Sequence, residues 1–171
     1  MIKAHPLRLR PWRMSDGDAL VRHANNRKIW LNLRDRFPHP YTVAAARAWL
    51  SLRSAETGSP HNFAIEFDGE AIGAIGLEFL SDVHRMTAEI GYWLGESTWG
   101  HGFATIAVKA ITGYAFETFE LHRLQATVYH WNPASARVLE KAGYTLEGRL
   151  RNYVVKDNRI GDALMYAKLR E

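Results

Sequence analysis

The segment from Glu89 to Thr105 constrains this chain more than any other. It reads Glu89-Ile90-Gly91-Tyr92-Trp93-Leu94, then Gly95-Glu96-Ser97-Thr98, then Trp99-Gly100-His101-Gly102-Phe103-Ala104-Thr105. The pattern is a strand, a loop, two glycines one residue apart, and a helix start. The first N–H groups of a helix lack intrahelical partners and carry partial positive charge, so such a start can hold a phosphate. Glycine at 100 and 102 removes the Cβ atoms that would keep a ligand away from those amides. An ordinary strand-to-helix turn that needs positive φ twice would use the same glycines, so this segment alone leaves both readings open. Spacing removes three rivals. A dinucleotide fingerprint needs a third glycine where Thr105 stands, and the P-loop needs Gly-Lys-Ser/Thr. Gly95-Glu96-Ser97-Thr98-Trp99 approaches a nucleophile elbow, but Trp99 replaces its last glycine. A pyrophosphate ligand without a nicotinamide is left.

The flanking sequence builds a mixed sheet around that turn. Leu7–Arg10 alternates as a half-buried strand does, and Pro11 ends it. Ser15 or Asp16 can cap a first helix through Ala19, Leu20 and His23, and Thr42 a second along Val43, Ala46, Trp49 and Leu50. Phe63, Ile65 and Phe67 alternate, and Asp68-Gly69 signals a hairpin into Ala71–Leu80, followed by Met86–Leu94. The helix after the turn predicts an apolar stripe of Phe103, Ile106, Ala107, Ala110, Ile111 and Tyr114. Leu124–Tyr129 reads as a strand, Pro133–Ala142 as a helix stopped by Gly143, and Tyr144–Asn152 and Ile160–Leu169 as closing strands. The expected order is β-α-α-β-β-β-α-β-α-β-β. That is an α/β (α+β) fold with a mixed, mostly antiparallel sheet flanked by helices, and 171 residues suit a single domain over 1–171.

Composition narrows the function. There are no cysteines, which removes disulfides, thiolate zinc sites and a Cys nucleophile. The eight histidines are scattered, without HExxH spacing, so no metal is expected. No stretch approaches ~18 apolar residues and the first residues lack an apolar h-region, so the expectation is a cytoplasmic protein without a membrane partner. The 22 Lys and Arg exceed the 18 Asp and Glu by only +4. That surplus suits a polyanionic ligand without arguing for nucleic acid.

With these segments in place, the chain resembles the GNAT acyl-CoA N-acyltransferase superfamily, and most of all its branch of ribosomal-protein N-terminal acetyltransferases. The resemblance rests on Glu89–Leu94, Trp99–Thr105, His122-Arg123-Leu124, Asn132-Pro133-Ala134-Ser135, Leu139–Tyr144, Glu147–Arg151 and Asp157–Tyr166, in order along nearly the whole chain. It implies acetyl-CoA or another acyl-CoA as donor and an amine acceptor, either a protein N-terminus or a small molecule. The amides from Gly100 to Thr105 would hold the pyrophosphate, with Trp99 shielding them. The pantetheine arm would pair with the backbone of Glu89–Leu94, along Ile90, Gly91, Tyr92 and Trp93, and Asn132 would open the helix beside the thiol. A homodimer is common in that branch. Two positions depart from the family pattern: Ser97 replaces the Gln or Arg of the pyrophosphate motif, and Leu139 replaces a tyrosine that many members use to protonate the thiolate. The branch match instead sets Ser135 beside the sulfur; the competing reading makes Ser135 a first-turn residue satisfying a helix amide.

Acyl transfer to an amine needs a base, because the acceptor's pKa of roughly 8–10 keeps it charged. Glu89, one residue before Ile90-Gly91, is the candidate; an arginine-paired strand carboxylate is the other reading, and Glu78 and Glu66 are rivals. A backbone N–H in Ile90–Tyr92 can polarise the thioester carbonyl. The resemblance puts residues 25–41 over the amine side of the cleft. There Arg27, Lys28, Arg34 and Arg36 outnumber Asp35 among Trp30, Leu31, Leu33, Phe37 and Tyr41. Trp30, Leu33, Arg34 and Tyr41 are the expected acceptor contacts, and the set predicts a positive, aromatic wall. A non-catalytic module that binds CoA or docks on the ribosome is the alternative from another class.

Overall fold

A computed structural model describes residues 1–171. The elements are β1 (Ile2–Ala4), β2 (Leu7–Arg10), α1 (Gly17–Ala24), α2 (Arg27–Trp30), α3 (Val43–Ser54), β3 (Asn62–Phe67) and β4 (Glu70–Phe79), followed by β5 (Thr87–Leu94), α4 (Phe103–Thr118), β6 (Arg123–Tyr129), α5 (Pro133–Lys141), β7 (Thr145–Lys156) and β8 (Arg159–Leu169). One eight-stranded sheet runs β1-β2-β3-β4-β5-β6-β8-β7. Every neighbouring pair is antiparallel except β5 with β6. The expected order lacked two of these elements. β1 is three residues long and α2 one turn, capped where the Asn26 side chain accepts from Lys28 N–H at 2.8 Å. Neither is long enough to carry a period.

The two faces of the sheet carry separate cores. On one, α4 and α5 cover a cluster of 24 buried residues that includes Phe63, Ile75, Ile90, Leu124 and Leu139. On the other, α1 and α3 bury a smaller set, among them Trp12, Leu20, Tyr41 and Leu50. The buried stripe of α4 is Phe103, Ala107, Val108, Ile111 and Ala115, while Ile106, Ala110 and Tyr114 are only half-buried. This corrects the expected stripe by part of a turn. The helix is apolar almost all round, so its sequence names no single face. Asp16 stands at the N-cap of α1 but makes no cap bond. Its carboxylate takes both terminal nitrogens of Arg10 at 2.8 Å, inside a buried cluster with Glu66.

One tie between α4 and the loop before β7 yields a stability prediction. The Thr112 hydroxyl donates to the Val108 carbonyl at 2.7 Å, which leaves its oxygen to accept from the Tyr144 hydroxyl at 2.8 Å. Both residues are buried. Thr112→Val keeps the shape but strands the phenol, an expected loss of about 1–3 kcal/mol. Adding Tyr144→Phe should restore most of it, since removing both partners is close to neutral. Urea midpoints of the three proteins check this, and a neutral single mutant would refute it.

The feature that positions the site lies between β5 and β6. They pair only at Thr87–Arg123, Ala88–Leu124 and Glu89–Gln125. Beyond Glu89, β5 stays with β4 as far as Leu94, and β6 stays with β8 as far as Tyr129. The sheet therefore splits into a wedge, and the β5 backbone from Ile90 to Leu94 has no strand on that side. Backbone N–H and C=O groups inside a fold need partners, so an extended ligand fits there as an added strand.

Candidate active site

The wedge opens into a cleft of about 1550 Å³. Of the residues expected at the site, all but Trp30 and His101 line it. Three groups of side chains and amides meet there, each brought by a different pair of elements.

The first is the turn into α4. Gly100 and Gly102 both have positive φ, at 80° and 77°, and a Cβ added to either would meet no atom within 4 Å. Gly102 is the N-cap in the left-handed region, with no side chain capping the helix. The first intrahelical bond is Ile106 N–H to the Gly102 carbonyl at 3.1 Å. The amides of Phe103, Ala104 and Thr105 are thus free at a positive helix end. The left-handed backbone accounts for both glycines, and the open space beside them leaves room for a ligand. Trp99 flanks the turn with its indole N–H on the Leu94 carbonyl at 2.8 Å. His101 stacks on Phe103, with ring centroids 5.5 Å apart, and contributes backbone rather than a cleft-lining side chain. Ser97 is exposed and supplies no long arm, whereas Arg137 and Lys141 on α5 line the same cleft.

The second group joins β5 to α5. The Asn132 side chain caps α5, accepting from Ser135 N–H at 3.2 Å. Ser135 is therefore not its own cap. Its hydroxyl lies 2.8 Å from the Tyr92 hydroxyl, which also reaches the Ser135 carbonyl at 3.3 Å. Burial pushes the Tyr92 phenol up to about 12, partly opposed by that bond to Ser135, so Tyr92 stays protonated at neutral pH. Leu139, which departs from the tyrosine that the resemblance implies, is fully buried in the core. Tyr92 supplies a phenol to the same end of the wedge from the opposite strand. No spacing rule links positions 92 and 135, so the sequence held no signal for the contact.

The third group lies on the other face of β5. Glu89 stands directly opposite Glu78 of β4 in the antiparallel register. Arg34 bridges them, donating from Nη1 to Glu78 at 2.6 Å and from Nη2 to Glu89 Oε1 at 2.7 Å. Arg36 adds a second contact to Glu78 at 2.8 Å. Burial alone would raise Glu78, but Arg36 and Arg34 more than offset it and hold the carboxyl below its ordinary range. Glu66, a rival for the base, is buried against Arg10 and does not line the cleft.

The expectation of an unpaired positive wall needs correction. Arg34 and Arg36 hold Glu78 and Glu89, Arg27 holds Asp157 at 2.5 Å, and Lys28 holds Glu96. Loop arginines could not be matched in the sequence with carboxylates that the sheet brings from far along the chain. Leu33 and Arg34 line the cleft, and Tyr41 does so as a buried core residue beside Phe37. Trp30 does not. Its ring stacks on His39 and carries the Lys156 ammonium 3.9 Å above it. Lys156 also holds Asp35 at 2.7 Å, fastening this loop to the β7–β8 hairpin. No group of three or more His, Cys, Asp or Glu residues could hold a metal ion, and no helix is long and apolar enough to cross a membrane.

Known proteins resemble this chain in sequence and fold. The Acetyltransferase (GNAT) domain profile matches residues 6–145. The chain is 31% identical over 172 residues to the uncharacterized N-acetyltransferase p20 of Bacillus licheniformis, a match spanning 96% of this chain and 93% of that protein. It is 32% identical over 114 residues to the ribosomal-protein-serine acetyltransferase of Escherichia coli K12, spanning 67% of this chain and 63% of that protein. Mycobacterium smegmatis RimJ in complex with CoA-disulfide superposes with a TM-score of 0.81 at 30% identity, over 95% of this chain and 81% of that one. Fold and site together define an acyl-CoA-dependent N-acyltransferase. The chain belongs to the GNAT acetyltransferase family.

Proposed function

We propose that this chain is one N-acyltransferase domain over residues 1–171 that acetylates a primary amine by direct transfer in a ternary complex, with the α-amine of a protein N-terminus as first candidate and a small amine as second. The observation that carries the reading is the separation of β5 from β6 beyond Glu89, next to the free amides of Phe103–Thr105. These groups fit acetyl-CoA: the amides and the α4 N-terminus suit a pyrophosphate, and the unpaired β5 backbone suits an amide-containing arm. When bound, that donor supplies an activated acetyl thioester. Glu89 Oε1 is held by Arg34, while Oε2 makes no hydrogen bond and can take the acceptor's proton. A backbone N–H of Ile90–Tyr92 donates to the carbonyl oxygen as charge builds there. Ser135, braced by Tyr92, presents its hydroxyl to the departing sulfur. The reading includes a cytoplasmic location and a homodimer, the latter supported by Tyr153, Val155 and Ile160, which expose apolar side chains on the outer hairpin.

Thiol release from acetyl-CoA across a panel of peptides and small amines tests the proposal. Binding without release by any acceptor would make the chain a non-catalytic CoA-binding module instead. Ser135→Ala is expected to lower kcat by about 10–100-fold with a smaller change in KM for acetyl-CoA. Tyr92→Phe should lose less, and add little on top of Ser135→Ala, because the two hydroxyls act as one unit. Unchanged kcat in Ser135→Ala, with chemistry limiting, would remove Ser135 from the mechanism.

A further inference from the structure

We infer that Arg34 sets acceptor specificity by filling the cation seat between Glu78 and Glu89, so that the site takes an acceptor whose only cation near the seat is the reacting ammonium and discriminates against polyamines. This rests on the acetyltransfer reading and adds the acceptor's charge class to it. Glu78 and Glu89 are cross-strand partners on one face of β4 and β5. Like charges at directly opposed positions destabilise a sheet, so this pair requires a cation. Two open carboxylates side by side would be a natural seat for a polycationic amine.

Here the seat is already filled from within. Arg34 spans both carboxylates at 2.6 and 2.7 Å, and Arg36 closes on Glu78 at 2.8 Å. Two guanidinium groups therefore neutralise two carboxylates, and only Glu89 Oε2 is left without a hydrogen bond. The loop that carries Arg34 is fastened at two points just after it. Asp35 is held by Lys156 at 2.7 Å, and Phe37 packs on Trp93 with ring centroids 5.7 Å apart. A tethered group competes at an effective concentration in the millimolar range, and a planar fork that bridges two carboxylates outmatches a free ammonium. A second positive charge on the acceptor would also meet Arg34 itself. A single ammonium needs only the one free oxygen of Glu89.

The test compares kcat/KM for spermidine with that for a short C-terminally amidated peptide having neutral side chains, in wild type, Arg34→Gln and Arg34→Lys. Calorimetry with acetyl-CoA on each protein reports an intact fold and donor site. Wild type is expected to favour the peptide by at least about 10-fold, and Arg34→Gln to move the ratio about 10-fold or more toward spermidine. The shift should shrink as salt rises, since the seat is partly exposed. Arg34→Lys, which keeps the charge but cannot bridge, should fall between them. Thiol release with an unchanged ratio in Arg34→Gln, or a wild type that prefers spermidine, overturns the inference alone. No release with any acceptor overturns the acetyltransfer reading, and the inference with it.

Discussion

Glu89→Gln is expected to lower kcat/KM for amine acetylation by about 10²–10⁴-fold at neutral pH, the range for loss of a positioned base. The amide keeps the shape of the side chain, and its oxygen still accepts the N–H that Arg34 aims at Oε1. The bridge to Glu78 therefore persists, and acetyl-CoA affinity should not change. The diagnostic is the pH profile. With an acceptor pKa of roughly 8–10, the uncharged fraction rises about tenfold per pH unit below that value. The mutant depends wholly on that fraction, so its rate should climb with the same slope until the amine itself is titrated. Wild type, with a base in place, should show a shallower rise, and the two curves should converge at high pH. Thiol release measured across that range decides the matter. Parallel profiles would take the proton-accepting role away from Glu89, and with it the significance of its free Oε2.

The parts of this fold that could be read in advance are those in which a local rule acts alone. Asp68-Gly69 forms the two-residue turn between β3 and β4, both residues having positive φ. Asn132, Pro133 and Gly143 bound α5 because cap, first-turn proline and left-handed stop are each local chemistry. Asn152 misled for the same reason. It has positive φ and resembles a strand end, yet its N–H finds Asp162 at 2.8 Å, and β7 resumes past an irregularity between Leu150 and Val154. The true turn, Asp157-Asn158, comes later and also has positive φ at both residues. A bulge and a turn use the same residue types, and only the strand partner tells them apart.

The site divides along the same line. The backbone geometry was legible, since glycine spacing and a helix start fix where amides go free. Contacts between side chains were not. Arg34 lies 44 residues from Glu78 and 55 from Glu89, and Tyr92 lies 43 from Ser135. No periodicity reaches across such distances. The β4–β5 register carries one further clue. Had the β4–β5 register been assumed, two opposed glutamates would have demanded a cation, and the basic loop was the nearest source. The expected positive wall would then have become a neutralised one.

Gly102→Asn is expected to weaken acetyl-CoA binding by about 100-fold, close to 2.7 kcal/mol. Asparagine is chosen because it tolerates the left-handed region better than other side chains, so the φ of 77° at this position is retained at modest cost. No atom within 4 Å of the added Cβ resists it, so the protein should fold. The added side chain is expected to project into the cleft that Gly102 lines together with Phe103, Ala104 and Thr105, and to crowd a phosphate there. Each hydrogen bond from such a donor to a charged oxygen contributes about 1.5–3 kcal/mol, so displacing a pyrophosphate from one or two of them accounts for the loss. Gly69→Asn is the matched control. It too has positive φ, at 81°, with open space around its Cβ, but it lies in the β3–β4 turn away from the cleft. Any thermal destabilisation should be similar in the two mutants, while only Gly102→Asn loses affinity by calorimetry. Equal, near-wild-type affinity in both would mean that these glycines serve the turn alone, and that the phosphate is held by side chains such as Arg137 and Lys141 on α5 instead.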